Sequence, residues 1–225
     1  DFKGVKAAED HFNKYGIRDY RGGGRSSARE TAARVAAGAI AKLLLNELNI
    51  DVRSGICEID GVKADNFNFE NARNSEIFAL DSNVEDAQKN AILKAKNSHN
   101  SVGGVALINV KNCPVGLGEP IYHKLDAQIA NAMMSINAVK AIEIGDGILA
   151  SRVFGFDNND QIRKSGFKTN HSGGILGGIS NGDDINVKVY FKATPSIFIE
   201  QDTVDIYGNE VECKLKGRHD PCVAI

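Results

Sequence analysis

No two cysteines of this sequence form a Cys-x-x-Cys pair. Cys57, Cys113, Cys213 and Cys222 are scattered over 225 residues, a pattern that excludes a paired-cysteine zinc ribbon and a thioredoxin-like redox motif. They read as reduced thiols of a cytosolic protein. His219-x-x-Cys222 offers two ligand types without a second pair, so no metal is expected. Long apolar runs are lacking too, and no signal peptide is visible, so no membrane partner is expected. The formal net charge is only −2, which argues against a nucleic-acid or anionic-membrane surface. Low-complexity stretches and internal repeats are absent. So is a Walker A loop, because no Gly-Lys-Ser/Thr follows the glycines, and so is a Rossmann fingerprint, which needs Gly-x-Gly-x-x-Gly after a strand. A chain of this length can still bury a substantial core, as one large domain or two small ones.

What is present is concentrated charge. Between Lys14 and Arg34 six Lys or Arg residues face only Asp19 and Glu30. Within that region runs Asp19-Tyr20-Arg21-Gly22-Gly23-Gly24-Arg25-Ser26-Ser27-Ala28-Arg29-Glu30-Thr31. The glycines permit close approach to a ligand. Ser27-x-x-Glu30 has the form of a capping box before an alanine-rich run. A helix N-terminus exposes free N–H groups and partial positive charge, and arginine adds forked donors suited to phosphate and carboxylate. The stretch therefore reads as a site for a small anion, although a solvated glycine loop has the same composition.

Periodicity predicts a helix over 28–47, with Ala32, Ala36, Ala39 and Leu43 on one stripe. A strand follows from Ile50 to Ile59, and 60–80 reads as irregular. A second capping box, Ser82-x-x-Glu85, opens a helix to about Lys96. Further expected elements are a strand over 102–110, a helix over 123–136 and a strand over 139–144. Residues 154–167 read as a loop, and 170–184 as a glycine loop. Ile185–Phe191 and the stretch around Val211, Cys213 and Leu215 alternate in polarity, which predicts antiparallel strands with one wet face. Helices beside one-sided strands define an α+β class.

Three ordered motifs carry a more specific message. The first is the 19–31 stretch preceded by Lys14-Tyr15-Gly16. The second is Asn170-His171-Ser172-Gly173-Gly174-Ile175-Leu176-Gly177-Gly178-Ile179-Ser180-Asn181-Gly182. The third is Gly217-Arg218-His219-Asp220-Pro221-Cys222, and Ser135-Ile136-Asn137-Ala138-Val139-Lys140 is a smaller match. Together they resemble the signatures of the chorismate synthase family over nearly the whole chain from Lys14 onward. The resemblance implies a β-α-β sandwich, helices between antiparallel sheets, assembled as a homotetramer. It implies a cytoplasmic carbon–oxygen lyase that eliminates phosphate from 5-enolpyruvylshikimate 3-phosphate to give chorismate, with reduced FMN as cofactor. No segment resembles a pyridine-nucleotide reductase that would reduce the flavin.

Residue by residue, the resemblance assigns cofactor contacts to Arg25, Ser26, Ser27, Asn137, Ala138, Gly177, Lys192, Ala193, Thr194, Pro195, Ser196 and Arg218. Ala193 stands where the family usually has proline. Substrate contacts fall on Ser27, Arg29, Arg218 and Asp220, and Asp220 is the candidate for the proton step. Two departures matter. The family's Gly-Glu-Ser-His-Gly motif has no counterpart, and residues 1–13 do not match its Pro-x-His-Ala-Asp segment. His11 is out of position, His171 is expected to order the glycine loop, and His99 and His123 read as surface residues. The chain opens at Asp1 and stops at Ile225, short of the family's extent at both ends, so 1–225 is expected to be a single core region of a longer protein. A non-catalytic flavin- or phosphate-binding chain of the same fold is the alternative.

Overall fold

The computed structural model describes residues 12–17, 24, 27–205, 207–214 and 220–225. Its helices and strands are α1 (Thr31–Glu47), β1 (Asp51–Ile59), β2 (Val62–Lys63), α2 (Phe69–Asn74), α3 (Ser82–Asn97), β3 (Gly104–Lys111), α4 (Leu125–Met134), β4 (Val139–Ile144), α5 (Gly155–Asn158), β5 (Ile162–Arg163), β6 (Gly166–Phe167), β7 (Ile175–Leu176), β8 (Ile179–Ser180), β9 (Ile185–Phe191), β10 (Gln201–Val204) and β11 (Glu210–Cys213). Helices and antiparallel sheet together make the α+β class read from the sequence.

The centre is a five-stranded sheet in the order β2-β1-β3-β9-β4, antiparallel throughout. Alternation decides which side chains share a face. Ala106 pairs with Val189, Ile108 with Val187 and Val110 with Ile185, so these six line one face. Against that face α3 brings Ile92, and α4 brings Leu125, Ile129 and Met133. Both methionines of the chain belong to this helix, Met133 packed against the core and Met134 exposed. On the opposite face Cys57, Val105 and Leu107 are covered by Ala72, Leu80 and Phe69. Beyond that cover the face turns polar, where buried Asn109 accepts from Arg53 and donates to Asp184 and Asn186.

Local signals account for several boundaries. The first helical turn, Ala28–Glu30, is 3-10 rather than α, with Ser27 as its cap. The expected capping box does not form. The Ser27 hydroxyl accepts from Arg29 N at 3.4 Å, and the Glu30 carboxylate turns away to Arg34 and Asn137. The box at Ser82 is displaced in the same way. Asp81, a charged acceptor one position earlier, caps α3 through Asn83 N, and Glu85 is taken by Ser75 and Lys89. Within the supposedly irregular 60–80 stretch, Asn68 caps the short helix α2.

Helix α1 buries none of its residues, and Val35, Ile40, Leu43 and Leu44 are exposed. Among the described residues no helix is long and apolar enough to cross a membrane. The four cysteines carry no disulfide.

Candidate functional site

One rung of the sheet organises the site. Ile59 pairs with Gly104, Gly104 with Phe191 and Phe191 with Val139, so four strands end together. The chain leaves or enters this edge at Asp60, Gly103, Lys192 and Ala138. Two of the assigned stretches, Asn137-Ala138 and Lys192–Ser196, therefore meet there.

Asn137 and Ala138 form the turn between α4 and β4. Ala138 adopts φ +69°, a left-handed conformation that costs a residue with a Cβ about 1 kcal/mol or more. Its carbonyl accepts the Lys192 N–H at 2.9 Å. Asn137 reaches the other way, donating from Nδ2 to the Ser27 carbonyl at 2.9 Å. Ser27 thereby lies beside Asn137, and Ala138 beside Lys192.

The Lys192–Ser196 run is held from its far side. The Ser101 hydroxyl donates to the Thr194 carbonyl at 2.6 Å. Gly103 has no room for a side chain, because a Cβ there would collide with the Phe191 carbonyl and crowd Ala193 N. The Val102 N–H donates to the Pro221 carbonyl at 2.8 Å. That bond brings the tail, and with it exposed Asp220, to the same edge. The Thr194 hydroxyl is buried with no hydrogen-bond partner among the described residues. A buried polar atom without a partner costs stability, and a ligand group at this edge would satisfy it.

A cleft of about 260 Å³ opens beside the rung, lined by Glu58, Asp60, Gly103, Gly104, Tyr190 and Phe191 among others. The Tyr190 hydroxyl donates to Glu143 at 2.7 Å, and burial first, then that carboxylate, pushes its pKa up. Two carboxylates in the lining disfavour a phosphate there, so an anion is better served on the Ser27 and Lys192 side.

Gly177 stands apart. It is the φ +64° turn of the β7–β8 hairpin, next to Gly178, whose carbonyl accepts Leu125 N at the start of α4. Asn137 follows the other end of that ten-residue helix, roughly 15 Å away at 1.5 Å per residue. Arg29 lies in the exposed 3-10 turn after Ser27. Arg25, Ser26 and Arg218 lie outside the described residues, as does the His219 of the weighed metal pair. Among the described residues no group of three or more His, Cys, Asp or Glu is arranged to hold a metal.

The glycine loop has its own internal order. Asp160 accepts from His171 N, Ser172 N and the Thr169 hydroxyl at 2.7–2.9 Å. Burial would raise its pKa, but these donors outweigh it and hold the carboxyl at about 2. The His171 ring meets Asp146 at 2.7 Å, in keeping with an ordering role. His99 is exposed, as a surface residue should be, with its ring edge-on to Phe198 and its carbonyl accepting Phe198 N. Sequence reasoning missed Ser101, Glu30 and Arg34. Glu30 carries a signal as the acidic member of the capping box, and Arg34 only as one of the six basic residues from Lys14 to Arg34.

The sheet edge thus defines a class, an α+β protein whose loop residues and the start of its first long helix come together at one end of an antiparallel sheet. The family model described as chorismate synthase matches residues 6–225. A chorismate synthase of Aliarcobacter butzleri is 83% identical over 215 residues, covering 96% of this chain and 60% of that protein. One of Sulfurimonas denitrificans is 66% identical over 215 residues, with the same coverage. A solved chorismate synthase structure superposes with a TM-score of 0.76 at 35% identity, covering 84% of this chain and 63% of that one. The chain belongs to the chorismate synthase family. It spans about three fifths of the length of the curated relatives it matches.

Proposed function

We propose that the protein acts as a chorismate synthase, eliminating phosphate from 5-enolpyruvylshikimate 3-phosphate with reduced FMN as cofactor. Family membership over residues 6–225 supports the activity. One observation supports the site: Ser27, Asn137, Ala138, Lys192–Ser196 and Asp220 gather at a single edge of the sheet. FMN fits what is present there. The Thr194 hydroxyl, without a partner among the described residues, is an available hydrogen-bonding group, and Lys192 supplies charge for a phosphate. Ser27, Asn137, Ala138 and Lys192–Ser196 would hold the cofactor, joined by Arg25, Ser26 and Arg218. When bound, reduced FMN would supply the electron-rich ring system that the elimination requires.

Ser27, Arg29, Arg218 and Asp220 would orient the substrate. Arginines and the helix start stabilise charge on the departing phosphate. Asp220 would handle the ring proton lost as phosphate leaves. Anaerobic incubation of the protein with dithionite-reduced FMN and the phosphorylated substrate, read as chorismate absorbance and released phosphate, tests this. Tight FMN binding without product would instead favour the non-catalytic reading. The apolar exposure of Val35, Ile40, Leu43 and Leu44 on α1 supports assembly as a homotetramer, and sedimentation tests it. The four unbonded cysteines support a reducing, cytoplasmic compartment.

A further inference from the structure

A carboxylate next to an anion site works against the ligand unless something neutralises it. Glu30 is that carboxylate, and its Oε1 accepts Arg34 Nε at 2.8 Å. The same guanidinium donates to the Ser135 hydroxyl at 2.8 Å and to the Ser135 carbonyl at 3.1 Å. Ser135 ends α4, so Arg34 places positive charge at the negative end of that helix. Three nitrogens of the fork are engaged within the chain. Arg34 is therefore not laid out to bind a ligand itself.

Its effect falls on Asn137, two residues beyond Ser135. Glu30 Oε1 also accepts from Asn137 Nδ2, at 3.4 Å, while the Ser27 carbonyl accepts from that nitrogen at 2.9 Å. Both partners are acceptors, so the amide must turn its NH2 toward them. Its carbonyl oxygen then faces away from the pair.

We propose that Arg34 and Glu30 are positioning residues. They clamp the start of α1 to the end of α4 and lock the Asn137 amide with its oxygen presented as an acceptor to a donor group of the cofactor. This rests on the FMN reading above. Arg34 fits the task better than lysine would, because only a planar fork reaches Glu30, the Ser135 hydroxyl and the Ser135 carbonyl together.

The test is a double-mutant cycle on FMN binding, with FMN as the titrant and flavin fluorescence as the signal. Arg34→Met and Glu30→Ala are each expected to weaken FMN binding about tenfold, and Arg34→Lys to recover little of it. Asn137→Ala is expected to cost a similar factor. Combining Arg34→Met with Asn137→Ala should add almost nothing, because the arginine acts through the amide. Thermal unfolding of every variant identifies any that loses the fold, and Arg34→Lys or Glu30→Gln then closes the cycle. Additive losses, or an unchanged affinity in Arg34→Met, overturn the inference while leaving the FMN reading intact. A folded, unmodified protein that binds no FMN overturns both.

Discussion

Ser101 and Thr194, 93 positions apart in the chain, are joined by a 2.6 Å hydrogen bond from the serine hydroxyl to the threonine carbonyl. The bond fixes the backbone of a residue whose own hydroxyl is buried and unpartnered among the described residues. Ser101 therefore holds the backbone from which that hydroxyl projects. Ser101→Ala leaves the Thr194 carbonyl without this donor, at a cost of about 1 kcal/mol in stability. FMN affinity is expected to fall severalfold, and Ser101→Thr, which keeps the donor, to retain most of it. Titration of both variants beside their melting curves checks this. An Ser101→Ala protein with unaltered affinity would remove the loop from the site.

Ala138 supplies a second test because its strain is separable from its contacts. Only its backbone is used, the carbonyl accepting Lys192 N, and its φ is +69°. Glycine relieves the left-handed penalty but adds freedom to the unfolded chain. The balance favours Ala138→Gly by up to about 1 kcal/mol. Ala138→Val sets a β-branched side chain in the same conformation and is expected to destabilise by more than about 1 kcal/mol. Urea unfolding midpoints decide it, and equal midpoints for the glycine and valine proteins would contradict the strain argument.

Local alternation made much of the sheet legible. Ile185, Val187 and Val189 are buried and Asn186, Lys188 and Tyr190 lie on the other face, as the pattern of one strand dictates. Helix α2 was missed because six residues carry too little periodicity, so that its cap, Asn68, is the main signal. The capping boxes misled for an energetic reason: a neighbouring charge or a tertiary partner outcompeted the local bond. Asp81 displaced Ser82, and Arg34 with Asn137 captured Glu30. Arg34 finds Ser135 at a separation of 101 residues, which no local pattern encodes. The motif residues were visible from resemblance. The meeting of Ala138 and Lys192 at one rung, with Gly177 left a helix length away, depends on a strand order that runs out of sequence.

Asp160 links the glycine loop to pH. Three donors hold its carboxyl at about 2 against the opposing effect of burial. A depressed carboxyl stabilises the fold above its unfolded value, near 4, and that stability is lost as pH falls through about 2. Partial exposure discounts the shift to on the order of 1–2 kcal/mol. Neighbouring Asp183 acts in the opposite sense, its carboxyl raised by burial and then by Asp160 and Asp184. Asp160→Asn is expected to lower the melting temperature at pH 7 by several degrees and to flatten stability between about pH 4 and pH 2. Asp183→Asn should leave neutral stability equal or higher. A variant at Asp160 that melts like the unmodified protein at pH 7 would refute the first expectation.

Asp220 tests the chemistry itself. It is exposed, and it immediately precedes Pro221, whose carbonyl takes Val102 N at the edge where Lys192–Ser196 and Ala138 converge. The ligands proposed for that edge are anionic. Lys192 and the arginines of the motifs favour them, whereas a carboxylate does not. An aspartate there is therefore explained either by proton handling or by a structural bond. Asp220→Asn separates the two, because it keeps size and hydrogen-bonding capacity and removes only the charge and the basicity. On the proton reading the variant binds reduced FMN and substrate nearly as before and loses about a hundredfold or more in turnover, the scale of an acid–base group. The loss should appear in kcat and kcat/KM alike, since the interaction is made in the transition state. On the structural reading FMN affinity and melting temperature fall together, and the surviving folded fraction turns over at a normal rate. Near-normal turnover in a stable Asp220→Asn protein would exclude the proton role.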